Sequence, residues 1–232
     1  MKHLFVATIL FGLGASTALG QWQVQTIQSQ ADFRGLSVVS PKVAWVSGTL
    51  GTYARTIDSG KSWTVGIVSG AEKLDFRDIE AFGAETAYLL SAGPGDASRI
   101  YKTTDGGKSW TKQFQSADPA SFFDALAFWD EKNGIALGDP VDGRFQLIAT
   151  DDGGANWKPL PAKNLPPALP GEGAFAASGT CLVAFGKDDV WFATGGAKAA
   201  RVFHSGLGEG DSESEHQASF FSSARRLSTG FR

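Results

Sequence analysis

The chain has 232 residues, with 24 acidic and 21 basic side chains and a formal net charge of −3. This near-balance argues against a nucleic-acid-binding protein, which needs clustered positive charge. A single cysteine, Cys181, excludes an internal disulfide, and with only three histidines we expect neither a metal site nor a cofactor.

Residues 1–20 have the pattern of a signal peptide. Lys2 and His3 give a short positive start, residues 4–13 are almost wholly apolar, and Ala18 and Gly20 are small residues of the kind read at a cleavage site. The apolar run is too short to span a bilayer. We therefore expect a mature chain that begins near Gln21, is periplasmic or secreted, and has no stable membrane span after cleavage.

Residues 21–27 follow with strand-like alternation of apolar and polar side chains. The segment that begins at Trp22 is similar to the segments that follow Trp63 and Trp110. We therefore interpret it as the outer strand of a repeating unit, separated in sequence from the rest of that unit.

An octapeptide occurs three times at constant spacing, over residues 56–63, 103–110 and 150–157. Its aspartates, Asp58, Asp105 and Asp152, are 47 residues apart both times. Each unit contains four short apolar segments separated by turn residues, which is the content and size of a propeller blade. The predicted structural residues of the octapeptide are Thr56, Asp58, Gly60, Trp63, Thr103, Asp105, Gly107, Trp110, Thr150, Asp152, Gly154 and Trp157.

The residue types of the octapeptide suit a hairpin between the third and fourth strands of a blade. The aspartate can accept backbone N–H bonds across its own turn, and the glycine can adopt a positive φ. The tryptophan can begin the outer strand and bury its ring. This chemistry stabilises a turn and implies no reaction.

A fourth unit begins at Cys181 after a proline-rich insertion, with strands predicted over residues 181–185, 190–193 and 201–203. Residues 206–232 are polar and serine-rich, and we interpret them as a disordered or aberrant tail. The fold class is thus an all-β propeller of four-stranded antiparallel blades over residues 21–205, with about four blades visible. Two alternatives remain open: part of a larger ring, or a four-bladed ring that the N-terminal strand closes.

The pattern Thr-x-Asp-x-Gly-x-x-Trp at blade spacing resembles the BNR/Asp-box repeat, which sialidases and other propellers carry on the blade periphery, away from the active face. In two of the repeats of this chain Arg-Thr or Lys-Thr comes before the aspartate, and one repeat reads Asp-Gly-Gly-Lys-Ser-Trp. This form of the repeat is most similar to the photosystem II stability/assembly factor-like family and its exported bacterial relatives. The resemblance covers residues 21–205. It implies a propeller that binds a protein or peptide partner in the cell envelope.

The opposite edge of the blades carries the candidate binding residues. Asp-Phe-Arg occurs at residues 32–34 and again at residues 75–77, just before the first strand of adjacent units. One interpretation is packing with local Arg–Asp pairs. The other is a patch that captures a carboxylate-bearing or peptide partner, and the family resemblance implies arginines on such a surface. The candidates are Arg34, Arg77, Asp32, Asp75, Asp78 and Asp124.

Two function classes follow from these observations. The first is an exported, non-catalytic binding or assembly scaffold. The alternative is a glycoside hydrolase of the sialidase type whose site is incomplete in this chain. Such an enzyme should carry Arg-Ile-Pro near its start, an arginine triad and a Tyr/Glu nucleophile pair. Arg34 is instead followed by Gly35 and Leu36, and the three tyrosines fall within repeat strands, at Tyr53, Tyr88 and Tyr101. We therefore predict no catalytic residues and favour the scaffold.

Overall fold

The computed structural model describes residues 22–205, except for positions 162, 164, 166 and 178. The predicted signal peptide and the predicted tail, residues 206–232, lie outside the described residues. No helix in the described part of the chain is long and apolar enough to cross a membrane.

Fifteen strands form four antiparallel sheets, which we number as blades 1 to 4. Blade 1 contains β1 (Phe33–Val38), β2 (Ala44–Gly48), β3 (Thr52–Thr56) and β4 (Thr64–Ile67). Blade 2 contains β5 (Phe76–Ala81), β6 (Ala87–Ser91), β7 (Arg99–Thr103) and β8 (Thr111–Gln115), with a 3₁₀ turn at Gly95–Ala97 before β7. Blade 3 contains β9 (Phe123–Phe128), β10 (Gly134–Val141), β11 (Arg144–Thr150) and β12 (Lys158–Pro159). Blade 4 contains β13 (Leu182–Phe185), β14 (Asp189–Thr194) and β15 (Arg201–Ser205).

Each blade is an up-and-down meander in which every strand pairs with the next one along the chain. Blades 1 to 3 have four strands, and the described part of blade 4 has three. The first strands of neighbouring blades lie next to each other, so β1, β5, β9 and β13 form the inner layer. The predicted all-β propeller of antiparallel blades is therefore confirmed.

The hydrophobic core lies between the blades. Trp45 and Tyr53 on one face of blade 1 pack against Phe76, Ile79 and Leu89 on the facing side of blade 2. Two further clusters join blade 2 to blade 3 and blade 3 to blade 4 in the same way. Because the strands alternate, each blade offers one apolar face to each neighbour.

The N-terminal segment differs from its prediction as a closing outer strand. Residues 22–29 form no strand, and the side chains of Trp22 and Val24 are fully exposed. The side chain of Gln25 instead lies against Gly60, in the octapeptide turn of blade 1. The segment thus lies at the first blade and does not pair with β15, the last described strand of blade 4. The prediction that these residues form the fourth strand of that blade was therefore wrong.

Candidate functional site

The three octapeptides form identical turns, which we call the box edge of the propeller. In blade 2 the hydroxyl of Thr103 donates to Asp105 Oδ1 over 2.8 Å and accepts the N–H of Gly107 over 2.9 Å. The carboxylate of Asp105 accepts the N–H of Ser109 over 2.9 Å and its hydroxyl over 2.5 Å. The same bonds form around Thr56 and Asp58, and around Thr150 and Asp152.

The conformation and charge of the box turns follow from these bonds. Gly107 has a φ of +88°, which a side chain would strain. Hydrogen bonds from Ser109 lower the pKa of Asp105 to about 2, because they favour the ionised carboxylate. The equivalent bonds lower the pKa of Asp58 to about 2.

The box edge also joins the blades, which the sequence pattern did not indicate. The hydroxyl of Tyr53 in blade 1 donates to the carbonyl of Gly107 in blade 2 over 2.5 Å. The hydroxyl of Tyr88 in blade 2 donates to the carbonyl of Gly153 in blade 3 over 2.8 Å. A Cβ on Gly107 would lie 2.5 Å from the ring of Tyr53, so this close approach also requires glycine.

The box tryptophans immediately precede the outer strands, one residue earlier than expected, and are half-buried. The ring of Trp110 packs edge-on against Tyr53, with centroids 5.1 Å apart, and therefore also contributes to the joint between blades 1 and 2. The indole N–H groups of Trp63, Trp110 and Trp157 are buried without a hydrogen-bond partner in the described part of the chain.

The opposite edge is shaped by a β-bulge that occurs at the same position in blades 1 to 3. The pairing of the first two strands skips one residue in each blade, and that residue is Arg34, Arg77 or Asp124. A bulge leaves its extra residue outside the regular pairing and redirects its side chain. The same β-bulge therefore places two arginines and one aspartate at equivalent positions of the three blades.

Asp75 connects the two arginines, and we call Arg34, Asp75 and Arg77 the arginine rim. Arg34 Nε lies 3.3 Å from Asp75 Oδ1, and Arg77 Nε lies 2.8 Å from Asp75 Oδ2. The two arginine side chains are 35% and 32% exposed, and the side chain of Asp75 is 23% exposed. One carboxylate therefore faces two guanidinium groups at an accessible edge.

The other candidate aspartates are not part of this rim. The carboxylate of Asp78 is buried and accepts the N–H of Ile79 over 2.9 Å and that of Leu126 over 2.8 Å, which joins blades 2 and 3. Asp124 is also buried, and its Oδ2 has no hydrogen-bond partner among the described residues. Asp32 is exposed, and its backbone N–H donates to Thr49 Oγ1 over 2.9 Å.

Burial dominates the charge state of both buried aspartates. Desolvation raises the pKa of Asp78 to about 7, because water no longer stabilises the carboxylate. Desolvation and the nearby carboxylate of Asp139 raise the pKa of Asp124 to about 8. Near neutral pH these two carboxyls are therefore at least partly protonated, so each contributes less than a full negative charge beside the rim arginines.

The segment before blade 4, residues 167–177, lies beside the rim, a position that the sequence pattern did not indicate. The carbonyl of Ala176 accepts Arg77 Nη1 over 3.2 Å, and the N–H of Ala174 donates to Asp139 Oδ1 over 2.9 Å. Its anchor is Glu172, whose side chain is fully buried and paired with Arg201. The hydrogen bond from Arg201 lowers the pKa of Glu172 to about 2.

The tyrosines relevant to the sialidase alternative have roles in blade packing. Tyr53 and Tyr88 donate their hydroxyls to the box carbonyls described above. Burial raises the pKa of Tyr88 to about 12, which disfavours the phenolate that a nucleophile requires. Within the described ranges, no group of three or more His, Cys, Asp or Glu side chains could hold a metal ion.

Comparison with known structures confirms the fold. The chain is similar to "YCF48 bound to D1 peptide", with a TM-score of 0.53 at 15% identity, over 78% of this chain and 57% of that one. It is also similar to YCF48 from Cyanidioschyzon merolae, with a TM-score of 0.51 at 16% identity, over 80% of this chain and 59% of that one. The chain thus spans less than two thirds of the length of these relatives. No family model and no curated protein sequence matches it.

Proposed function

We propose that this chain is an exported, non-catalytic propeller scaffold that binds a carboxylate-bearing peptide or protein partner at the arginine rim. The observation that carries the proposal is the sharing of Asp75 by Arg34 and Arg77. The repeated polar residues of the box turns are used in hydrogen bonds that stabilise those turns. The arginine rim is therefore the repeated polar feature that supports a binding role.

The rim has more positive than negative charge. Asp75 neutralises one guanidinium charge, which leaves a net positive charge at an edge where both arginines are about one third exposed. Arg34 contacts Asp75 through Nε, and its side chain is 35% exposed. Guanidinium nitrogens in this arrangement suit a carboxylate, which can accept two parallel hydrogen bonds.

Two further observations support a peptide partner outside the cytoplasm. The similar structure of YCF48 was obtained with a bound D1 peptide, so a propeller of this kind can bind a peptide. The charge and apolar pattern of residues 1–20 supports export. The resemblance of the Asp-box repeats to the photosystem II stability/assembly factor-like family supports a scaffold in preference to a hydrolase.

Substitutions of opposite effect test the proposal. The double variant Arg34→Ala, Arg77→Ala should weaken binding of envelope-extract proteins and of acidic synthetic peptides by about tenfold or more, since each charge-assisted bond contributes about 1.5–3 kcal/mol. Asp75→Asn should strengthen the same binding, because it removes the internal anion that competes with the ligand. Fluorescence anisotropy with one labelled peptide, as a free acid and as an amide, measures both effects.

The matched control removes two positive charges from the box edge instead. Lys61 and Lys108 are exposed there, and the double change Lys61→Ala, Lys108→Ala should leave peptide binding unchanged. A thermal melt on each sample separates lost binding from lost folding. If Asp75→Asn weakens binding as much as the arginine changes do, the three residues form a structural cluster and the proposal is wrong.

A further inference from the structure

The first and last blades each have an apolar face that no described residue covers. On blade 1 this face includes Leu36 and Val38, both 65% exposed, and Ile67, which is 58% exposed. On blade 4 it includes Val183, Trp191 and Val202, which are 51%, 45% and 67% exposed. Exposed apolar surface of this extent is typical of an interaction site.

These two faces are the complementary halves of an interface that the molecule already builds three times. Strand register makes Leu36 in blade 1 equivalent to Ile79 in blade 2 and Leu126 in blade 3. Ile79 and Leu126 are both 2% exposed, because the preceding blade covers them. Leu36 therefore belongs to a face that is shaped to receive another blade.

The face on blade 4 has the opposite half of the same interface. By register, Trp191 is equivalent to Trp45, whose Nε1 donates to the carbonyl of Gly83 in the next blade over 2.9 Å. Trp191 instead stacks on His204 of its own blade, with ring centroids 3.9 Å apart. It has no following blade among the described residues.

The charges at the edge of the two faces are also complementary. Inside the molecule, Arg55 of blade 1 lies 3.4 Å from Glu85 of blade 2. His204 occupies the position of Arg55 and is 2.9 Å from Asp189, whereas Lys42 occupies the position of Glu85. By these equivalences, an interface between the two faces would bring Lys42 next to His204, and Asp189, which contacts His204, would supply the negative charge at this edge.

We infer that a second copy of this chain docks on the first, with the uncovered face of its blade 1 against the uncovered face of blade 4. The contact is heterologous, because two different surfaces meet, and it repeats the geometry of the internal blade interfaces. Two such contacts close a ring of two chains, and one contact leaves an open pair. Burial of the apolar side chains on both faces drives the association.

Engineered cysteines test the register of this contact. Ser37 Oγ accepts the N–H of Ala81 across the interface of blades 1 and 2 over 3.1 Å, and the equivalent positions are Val183 and Val38. In a Cys181→Ser background, the pair Val183→Cys and Val38→Cys should form an intermolecular disulfide on mild oxidation. The pair Val183→Cys and Ile67→Cys is the control, because its second cysteine lies on the same face but on the outer strand, and it should remain unlinked. Equal cross-linking of both pairs would contradict the inferred register.

A mixing experiment tests the heterologous contact. Val202→Asp should disable the blade 4 face and Leu36→Asp the blade 1 face, so each variant alone should be monomeric by light scattering after gel filtration. A mixture of the two variants retains one intact face on each chain and should form a one-to-one pair. Thr111→Asp, on the exposed outer strand of blade 2, should self-associate like the unmodified chain, and circular dichroism verifies the fold of every variant.

Three outcomes would overturn the inference. A folded, unmodified chain that stays monomeric at all concentrations would mean that segments outside the described residues cover the two faces. A mixture that stays monomeric while the unmodified chain associates would mean that the contact uses other surfaces. Association of either single variant at the unmodified level would exclude the substituted face from the contact.

Discussion

The two edges of the blades use repeated positions in opposite ways. At the box edge, threonine, aspartate and glycine recur in three blades with the same hydrogen bonds. At the rim edge, one bulge recurs in three blades but carries Arg34, Arg77 and then Asp124. Repetition of both backbone and side chain indicates architecture, whereas repetition of the backbone alone indicates a position that is available for specific chemistry.

The same two edges differ in their electrostatics. The box carboxylates accept several hydrogen bonds at the surface, and the pKa values of Asp58 and Asp105 fall to about 2. The carboxyls of Asp78 and Asp124 near the rim are buried, and their pKa values rise to about 7 and about 8. Acid should therefore weaken the box edge, and alkali should weaken the region beneath the rim.

The largest expected effect is the pH dependence of stability. In the unfolded chain Asp78 and Asp124 ionise near pH 4, so between about pH 4 and pH 8 the folded state holds the extra protons. The free energy of unfolding should therefore fall as the pH rises through this window, by up to about 1.4 kcal/mol per pH unit for each group. Urea unfolding at pH 5, 6, 7 and 8 measures the slope.

Asp124→Asn should reduce that slope, because the amide cannot ionise. The variant Asp142→Asn is the control, since this residue is exposed in the loop between β10 and β11. An unchanged slope in Asp124→Asn would mean that Asp124 is already ionised in the folded state at pH 5.

The next effect concerns the box edge. Thr103→Val keeps the shape of the side chain but leaves the buried N–H of Gly107 without its acceptor. We expect a loss of about 1–3 kcal/mol in the free energy of unfolding. Thr104→Val is a close control, because the neighbouring threonine is exposed, and a loss as large as that in Thr103→Val would contradict the assigned role.

A smaller effect should come from the joint between blades 2 and 3. Tyr88→Phe removes the hydroxyl that donates to the carbonyl of Gly153 and should cost about 1 kcal/mol. Tyr101→Phe should cost less, since its hydroxyl accepts only a long bond of 3.4 Å from Arg99. Guanidinium unfolding of the two variants side by side provides the comparison, and equal losses would argue against a role for the Gly153 bond.

The smallest effect should occur at the rim itself. Arg34→Ala should change the free energy of unfolding by less than about 1 kcal/mol, because partly exposed ion pairs contribute little. A larger loss, measured by the same denaturation assay, would move Arg34 from the proposed binding role to a structural one.

The fold was predictable because its information is local and repeated. The spacing of Asp58, Asp105 and Asp152 predicted three blades, and the apolar segments before them predicted their strands. The N-terminal segment was mispredicted because alternation of apolar and polar side chains shows that a segment can form a strand. It does not show which strand edge of the folded protein the segment can reach. The segment that begins at Trp22 therefore has the sequence pattern of an outer strand but is not paired as a strand.

The site was predictable only in part. The repeated Asp-Phe-Arg identified Arg34 and Arg77 as candidate binding residues. The sequence alone could not indicate that Asp75 contacts both arginines. Burial separated Asp78 from the rim, because its carboxylate faces backbone N–H groups of two blades. Glu172 was overlooked because it lies in a proline- and glycine-rich insertion, where its pairing with Arg201 depends on long-range contact.

The recurring bulge offers a way to redesign this protein. Each bulged residue stands outside the strand pairing, so the partly exposed residues 34 and 77 can be substituted while the hydrogen-bonded ladder remains intact, whereas residue 124 is buried. A set of variants that permutes arginine, aspartate and neutral residues over positions 34 and 77 would yield a family of receptors on one framework. The ligand preference of each variant would then be set by the order of the charges around the inner layer.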